Sequence, residues 1–278
     1  MLVYSLCSSS RSGNCYLLLG RHGVILVDCG STNRHLRVCL EDLGLDIASL
    51  GACLVSHSHP DHTRSLRFLQ RHGVPVLARE ATCEALNAGK AVHQQLTTLC
   101  MGGSTALPGG FSVRSWEVPH YAQDSSCGFV VTCADETCTI ITDAGSVPDD
   151  LINAARGSTY IICESNHDET RARSQIPFDG GRSRPFWVLQ HRSLGPLGHL
   201  SNDQAGYALS KMVSSETRAV LLCHLSEDFN TPQVALRTAR EALGGWGGAL
   251  EVAQPGWTRR PIASEWLSER IASASRFE

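Results

Sequence analysis

The stretch Ser56–His62, "SHSHPDH", packs three histidines and an aspartate directly behind the apolar run "ACLV", Ala52–Val55. His57 and His59 are two apart, so in an extended segment both project to the same side. Pro60 breaks the strand. Asp61 and His62 then stand at or near a helix start, turned back toward the same point. One segment can therefore serve two adjacent ions, with His57 and His59 for one and Asp61 and His62 for the other. Neutral imidazoles and carboxylates suit Zn²⁺, Mn²⁺ or iron. No four neighbouring side chains of this loop enclose an ion alone, so partners must come from elsewhere in the chain.

Polar residues able to bind metal recur just after apolar strands. "VILVD" ends at Asp28, "SWEVPH" at His120, "TIITD" at Asp143, "YIICE" at Glu164 and "VLLCH" at His224. A strand delivers its terminal residue to one rim of its sheet, and strands that share a rim bring these ends together. His22, His35, His72 and His93 lack that setting and read as structural or surface residues.

Further strand-like runs are "MLVYSL", "CYLLLG", "FSVRSWEV" and "CGFVVTC", each bounded by turn residues. Helical patterns cover Thr32–Leu43, Asp61–His72, Glu80–Asn87, Asp149–Ala155, Ser201–Ser214 and Pro232–Leu243. Ser201 with Gln204 three residues on makes a capping-box arrangement. Strands with interspersed helices predict sheets covered by helices, an α+β or layered α/β design. Residues 1–278 read as one domain, with an Arg/Gly-rich surface loop or insertion at about 169–184, "ETRARSQIPFDGGRSR".

The chain has 278 residues, 42% apolar and 18% charged, with a net charge of −3. That is ordinary globular composition without a strongly basic footprint, so a nucleic-acid substrate would need a local patch or bound cations. The twelve cysteines form no C-x-x-C pair, and several sit in apolar runs, as buried thiols of a reducing compartment do. The amino terminus lacks the pattern of a signal peptide, and no run approaches a membrane span. A cytoplasmic location without membrane partners is expected.

"SHSHPDH", the upstream "VDCG", His120, "TDAG" and "CHLS" resemble the five ordered motifs of the metallo-β-lactamase superfamily, over about residues 1–245. The resemblance implies a four-layer αββα sandwich with a two-metal hydrolase site at one edge of the sheets. "SSSRSGNCYLL", "SSCGF", "ESNHD", "GHLSN" and "HLSEDFNTP" look like the YycJ (WalJ) subgroup, which is associated with 5′-to-3′ exonuclease activity on DNA. "ESNHD" with "GHLSN" is also similar to the catalytic motifs of the tRNA 3′-processing endonucleases (RNase Z), and PhnP-type phosphodiesterases are further relatives. The subgroup usually follows "ESNHD" with a hydrophobic pair and a tight turn. Here the 169–184 segment intervenes, so no substrate contact of that loop carries over.

By this analogy, together with the spacing, His57, His59 and His120 hold one divalent ion (Zn²⁺ or Mn²⁺), and Asp61, His62 and His224 the second. Asp143 bridges both, and a hydroxide between the ions attacks the ester. His199, close to the start of a helix, stabilises phosphate or donates a proton; the other reading is a packing residue at the helix cap. Glu164 orients His199 or relays protons, and Asp28 orients a ligand from behind. His167 and Asp168 stand behind the ligands or fix their loop. Ser8 and Asn14, in "SSSRSGN", and Arg192 are candidate substrate contacts, although "SSSRSGN" reads equally as a plain turn. Arg171, Arg173, Arg182, Arg184 and Arg192 form a local basic excess that could track a nucleic-acid backbone or simply be a solvated loop.

These features point to a metal-dependent phosphodiesterase acting on nucleic acid, DNA favoured over RNA. The alternatives are a hydrolase of small cyclic or nucleotide phosphodiesters, an RNA-processing nuclease of the same fold, and a redox or binding protein that keeps the fold without hydrolysis.

Overall fold

The structure is a computed structural model that describes residues 1–9, 11–90, 92, 96–122, 124, 126–174 and 192–264. The reading of His93, and that of Arg182 and Arg184 within the 169–184 segment, lies outside the described residues.

Two mixed sheets lie face to face. The first runs in the order β1 (Leu2–Ser9), β2 (Gly13–Leu19), β3 (Val24–Val27), β4 (Leu50–Val55), β5 (Val76–Arg79), β6 (Thr97–Leu99). The second runs β13 (Ala249–Val252), β12 (Ala219–Cys223), β11 (Tyr160–Glu164), β10 (Glu136–Ile141), β9 (Ser126–Cys133), β8 (Phe111–Val118), β7 (Thr105–Leu107). The alternation within single strands shows why both faces are covered. In β3, Ile25 and Val27 enter the core between the sheets, whereas Val24 and Leu26 face the helices outside. β4 repeats this with Ala52 and Leu54 inside and Cys53 and Val55 outside. Strands buried on both faces read as continuous apolar runs, as these did.

Helices close the outer faces. Leu36 and Leu40 of α1 (Asn33–Asp42), Leu66 and Leu69 of α3 (Leu66–Arg71) and Leu86 of α4 (Glu80–Ala88) pack on the first sheet. Leu151 of α5 (Asp149–Ala155), Leu209 of α7 (Asn202–Met212) and Ala235 of α8 (Pro232–Leu243) pack on the second. The expected αββα sandwich is therefore present. The capping box at Ser201 is complete: Gln204 N donates to Ser201 Oγ at 3.2 Å and Ser201 N to Gln204 Oε1 at 2.8 Å. Eleven of the twelve cysteines are buried and none is paired; Cys100 is the exposed one. No helix among the described residues is long and apolar enough to cross a membrane.

Two local expectations are corrected. The helix expected over Asp61–His72 is broken into α2 (Pro60–Thr63) and α3. The His62 carbonyl accepts from Cys29 N at 2.8 Å, and Ser65 N donates to the Cys29 carbonyl at 2.9 Å. These bonds to the loop after β3 replace the bonds a continuous helix would make. The segment from 169 begins not as a loop but as a helix, α6 (Glu169–Ser174). Asp168 Oδ1 accepts from Arg171 N at 2.6 Å, and Arg173 pairs with Glu169 one turn back at 2.6 Å.

The join between α2 and the β3 loop is close. A Cβ on Gly30 would land on the Asp61 carbonyl group. Gly30→Ala is therefore expected to lose about 1–3 kcal/mol of stability, the usual range for overpacking. Urea unfolding checks this, and a variant as stable as the parent would show that α2 yields freely.

Candidate metal centre

Every strand end singled out in the sequence reaches the same edge of the sandwich. β3 and β4 are parallel in the first sheet, and β10, β11 and β12 are parallel in the second. β8 and β10 both run antiparallel to β9, so β8 points the same way as β10. The carboxyl ends of five strands and of β8 therefore meet across the gap between the sheets. Two non-glycine residues there, Asp28 (φ 57°) and His224 (φ 54°), occupy the left-handed region. That conformation costs energy and persists only where surrounding contacts enforce it.

The gathered side chains form overlapping groups whose donor atoms lie within 4.8 Å of one another: His57, His59 and His120; Asp61, His62 and His224; His57, His62 and Asp143; and Asp143, Glu164, His199 and His224. Asp143 stands between them, with Oδ2 3.0 Å from His62 Nε2 and Oδ1 3.6 Å from His120 Nε2 and 3.5 Å from His224 Nδ1.

Each imidazole buried in the cluster is held by its outer nitrogen. His62 Nδ1 donates to Asp28 Oδ2 at 2.7 Å and His120 Nδ1 to the Gly198 carbonyl at 3.0 Å. His224 Nδ1 and His199 Nδ1 share Glu164 Oε1, at 2.9 and 2.7 Å. His57 Nδ1 meets Ser56 Oγ at 3.1 Å, and that hydroxyl donates to Asp28 Oδ2 at 2.9 Å. The inner Nε2 atoms of His57, His120 and His224, and Asp143 Oδ2, are buried without a hydrogen-bond partner. Buried polar atoms are seldom left so, and here four belong to one cluster. A divalent cation would satisfy them, so the donor set fits a metal.

The charge balance agrees. Burial holds His57 well below the ordinary imidazole range, lowers His59 and brings His120 down to about 4, so their lone pairs are available at neutral pH. Burial also opposes charge on His62 and His224, but Asp143 and the neighbouring carboxylates outweigh it, lifting His224 to about 10. For the carboxylates, burial works against ionisation. The facing histidines overcome it and keep Asp61, Asp143 and Glu164 below the usual carboxylate range. Without metal, His62 and His224 therefore carry protons held by the ionised carboxylates, and a cation would release those protons and meet the same negative charge.

Glu164 is fully committed. Its Oε1 takes the two histidines, and its Oε2 accepts from Ala144 N at 3.0 Å and Leu200 N at 3.1 Å. His199, partly exposed, leaves its Nε2 at the mouth of the cluster. Ser8 lies beneath the cluster: its hydroxyl accepts from His224 N at 2.9 Å and meets Tyr16 Oη at 2.9 Å. Asn14 Nδ2 lies 3.1 Å from His62 Nε2. In the same loop, Arg11 N and Ser12 N already donate to Ser9 Oγ, and the Arg11 guanidinium pairs with Asp228 at 2.9 Å. Arg192 lies in a helical turn at 192–194 beside the site, over the ring of Tyr121. His167 is buried, and its carbonyl accepts from Asn202 N at 2.8 Å, tying the exit of β11 to the start of α7.

Sequence reading missed several residues that build the site. Ser56, inside the opening stretch, couples Asp28 to His57. Asp124 accepts from Ser58 N and Ser58 Oγ, both at 2.9 Å, and so clamps the backbone between His57 and His59. A buried amide network joins "ESNHD", "GHLSN" and "FNTP": Asn166 Nδ2 donates to the His224 carbonyl at 2.8 Å, and Asn202 and Asn230 bond each other at 2.8–3.1 Å. The only available signal was the presence of short polar residues inside otherwise apolar motif surroundings.

This fold and centre define a hydrolase of the metallo-β-lactamase type, and residues 24–225 match the Beta-lactamase superfamily domain. The chain belongs to that family. It is 28% identical over 258 residues to the exodeoxyribonuclease YycJ of Bacillus anthracis, covering 90% of this chain and 94% of that protein. It is equally 28% identical over 239 residues to the exodeoxyribonuclease WalJ of Streptococcus pneumoniae serotype 2 (strain D39 / NCTC 7466), covering 84% and 86%. Among solved structures it is similar to the metallo-β-lactamase fold protein YhfI from Bacillus subtilis, with TM-score 0.67 at 18% identity over 92% of this chain and 97% of that one.

Proposed function

We propose that this chain is a metal-dependent nuclease that hydrolyses DNA phosphodiesters, acting from the 5′ end. In this reading His57, His59 and His120 hold one divalent ion and Asp61, His62 and His224 a second, with Asp143 between them. Bound zinc or manganese would lower the pKa of water to about 7 and offset charge on the phosphate oxygens. The chain's own groups do the rest. Asp28, Ser56 and Glu164 fix which imidazole nitrogen points inward. His199, oriented by Glu164, presents Nε2 to the phosphate as a hydrogen-bond or proton donor. Ser8 and Asn14 hold the backbone and ring beside the second ion, and Arg192 offers charge to the substrate strand.

The observation that carries the reading is the Glu164–His199 pair at 2.7 Å, set against the donor cluster with the other ring nitrogen unpartnered among the described residues. Simple water activation by a metal pair needs no such dyad, whereas the alkoxide that leaves a phosphodiester needs a proton donor. The curated relatives named as exodeoxyribonucleases support DNA over RNA.

The test is purification under controlled zinc or manganese, elemental analysis, and incubation with end-labelled DNA, end-labelled RNA and a cyclic phosphodiester. Mononucleotides released from the 5′ end of DNA are expected. Turnover confined to the cyclic ester would establish the small-substrate alternative, and turnover confined to RNA would establish an RNA-processing enzyme.

A further inference from the structure

The rim of the site carries an apolar and cationic patch that water activation does not explain. Tyr121 directly follows His120. A tight turn, with Ala122 N donating to the His120 carbonyl at 2.9 Å, leaves the tyrosine 62% exposed while His120 is buried. Across from it runs the segment 192–199, a helical turn and the loop after it, which carries Arg192, Leu197 (46% exposed) and His199. Arg192 places its guanidinium carbon 5.9 Å from the Tyr121 ring centroid.

The two loops are locked together. His120 Nδ1 donates to the Gly198 carbonyl at 3.0 Å, Gly145 N to the Pro119 carbonyl at 2.6 Å, and His199 N to the Ser193 carbonyl at 3.1 Å. A Cβ on Gly145 would land on the Pro196 carbonyl, so that contact also depends on close backbone approach. Two of the six large apolar side chains left exposed among the described residues, Tyr121 and Leu197, lie on these loops. The other exposed tyrosine, Tyr207, has Lys211 over its ring one helical turn away, which ordinary helix spacing explains. Tyr121 and Arg192 are far apart in sequence, and the fold alone brings them together.

An exposed aromatic ring with a cation beside it suits a nucleobase and its phosphate, because every base has a face to stack and a charge to neutralise. We propose that Tyr121 is the platform on which the base next to the scissile phosphodiester stacks, with Arg192 at the neighbouring phosphate and Leu197 against the sugar. The base beside the cut is therefore held on the protein and outside the stack of its own strand. This rests on the phosphodiesterase reading above and names the residues that position its substrate.

The test uses the metal-loaded full chain, a 5′-fluorescein single-stranded DNA oligonucleotide, and the same oligonucleotide with an abasic residue at each of its first three positions in turn. Binding is followed by anisotropy and cleavage on gels, for the parent, Tyr121→Ala and Tyr121→Phe. Tyr121→Ala is expected to weaken binding of the intact strand about tenfold, and Tyr121→Phe to restore it. One abasic position should cost the parent about the same tenfold and cost Tyr121→Ala little more. Equal affinity of the parent and Tyr121→Ala for the intact strand overturns the proposal. So does an alanine penalty that persists undiminished on every abasic strand. If the parent binds DNA in this Tyr121-dependent way but cleaves no nucleic acid, the platform stands and the nuclease reading falls. Cleavage that ignores Tyr121 gives the reverse.

Discussion

His199→Ala should keep the metal content of the parent and lose about 10²–10⁴-fold in kcat on a DNA strand, the range for removal of a positioned acid. The reason lies in how the ring is held. Its Nδ1 is spent on Glu164 at 2.7 Å, and Asp143 Oδ1 lies 3.5 Å from the same nitrogen. The remaining Nε2 has no hydrogen-bond partner among the described residues, and the ring is partly exposed. The same ring belongs to the group formed by Asp143, Glu164, His199 and His224, so a ligand role makes a different prediction, namely loss of metal together with activity. Elemental analysis beside the rate measurement separates the two. Unchanged kcat would remove His199 from the mechanism altogether. The leaving group decides the size of the effect: with a 4-nitrophenolate ester, which departs without a proton, a pure proton-donor role predicts a much smaller loss.

Asp143→Asn should strip metal from both positions, weakening affinity by at least about 10²-fold, more than loss of an outer hydrogen bond costs. The carboxylate is buried at the end of β10, with its oxygens 3.0–3.6 Å from nitrogens of His62, His120 and His224. An amide carries no charge, and its NH₂ would aim protons at lone pairs meant for a cation. His59→Ala, at a ring that belongs only to the group with His57 and His120, should by contrast deplete one position first. Equilibrium dialysis against zinc, read without any activity assay, checks both. If Asp143→Asn retained full metal content, the shared carboxylate between two ions would be disproved.

Much of the fold was legible because its strands are buried on both faces and so appear as unbroken apolar runs. All nine runs singled out in the sequence are strands here, from β1 to β12. Those not singled out, β5, β6, β7 and β13, span three or four residues and offer too short a pattern to separate from a turn. The helix boundaries that held, such as Pro232–Leu243, carry their own caps, with Thr231 Oγ1 accepting from Val234 N at 3.3 Å. The helix that broke, after Thr63, was undone by partners some thirty residues upstream that no local pattern records.

By itself, the sequence determined which chemistry is available: imidazoles and carboxylates placed just beyond apolar strands, since alternation and strand length fix where a strand ends. It could not determine which nitrogen of each ring faces inward, that Asp28 is held behind His62, that Asp124 clamps Ser58, or that Tyr121 and Arg192 share a rim. Those facts depend on contacts between residues tens of positions apart. They exist only once two sheets have stacked and burial has forced every polar atom at their common edge either to find a partner or to await a cation.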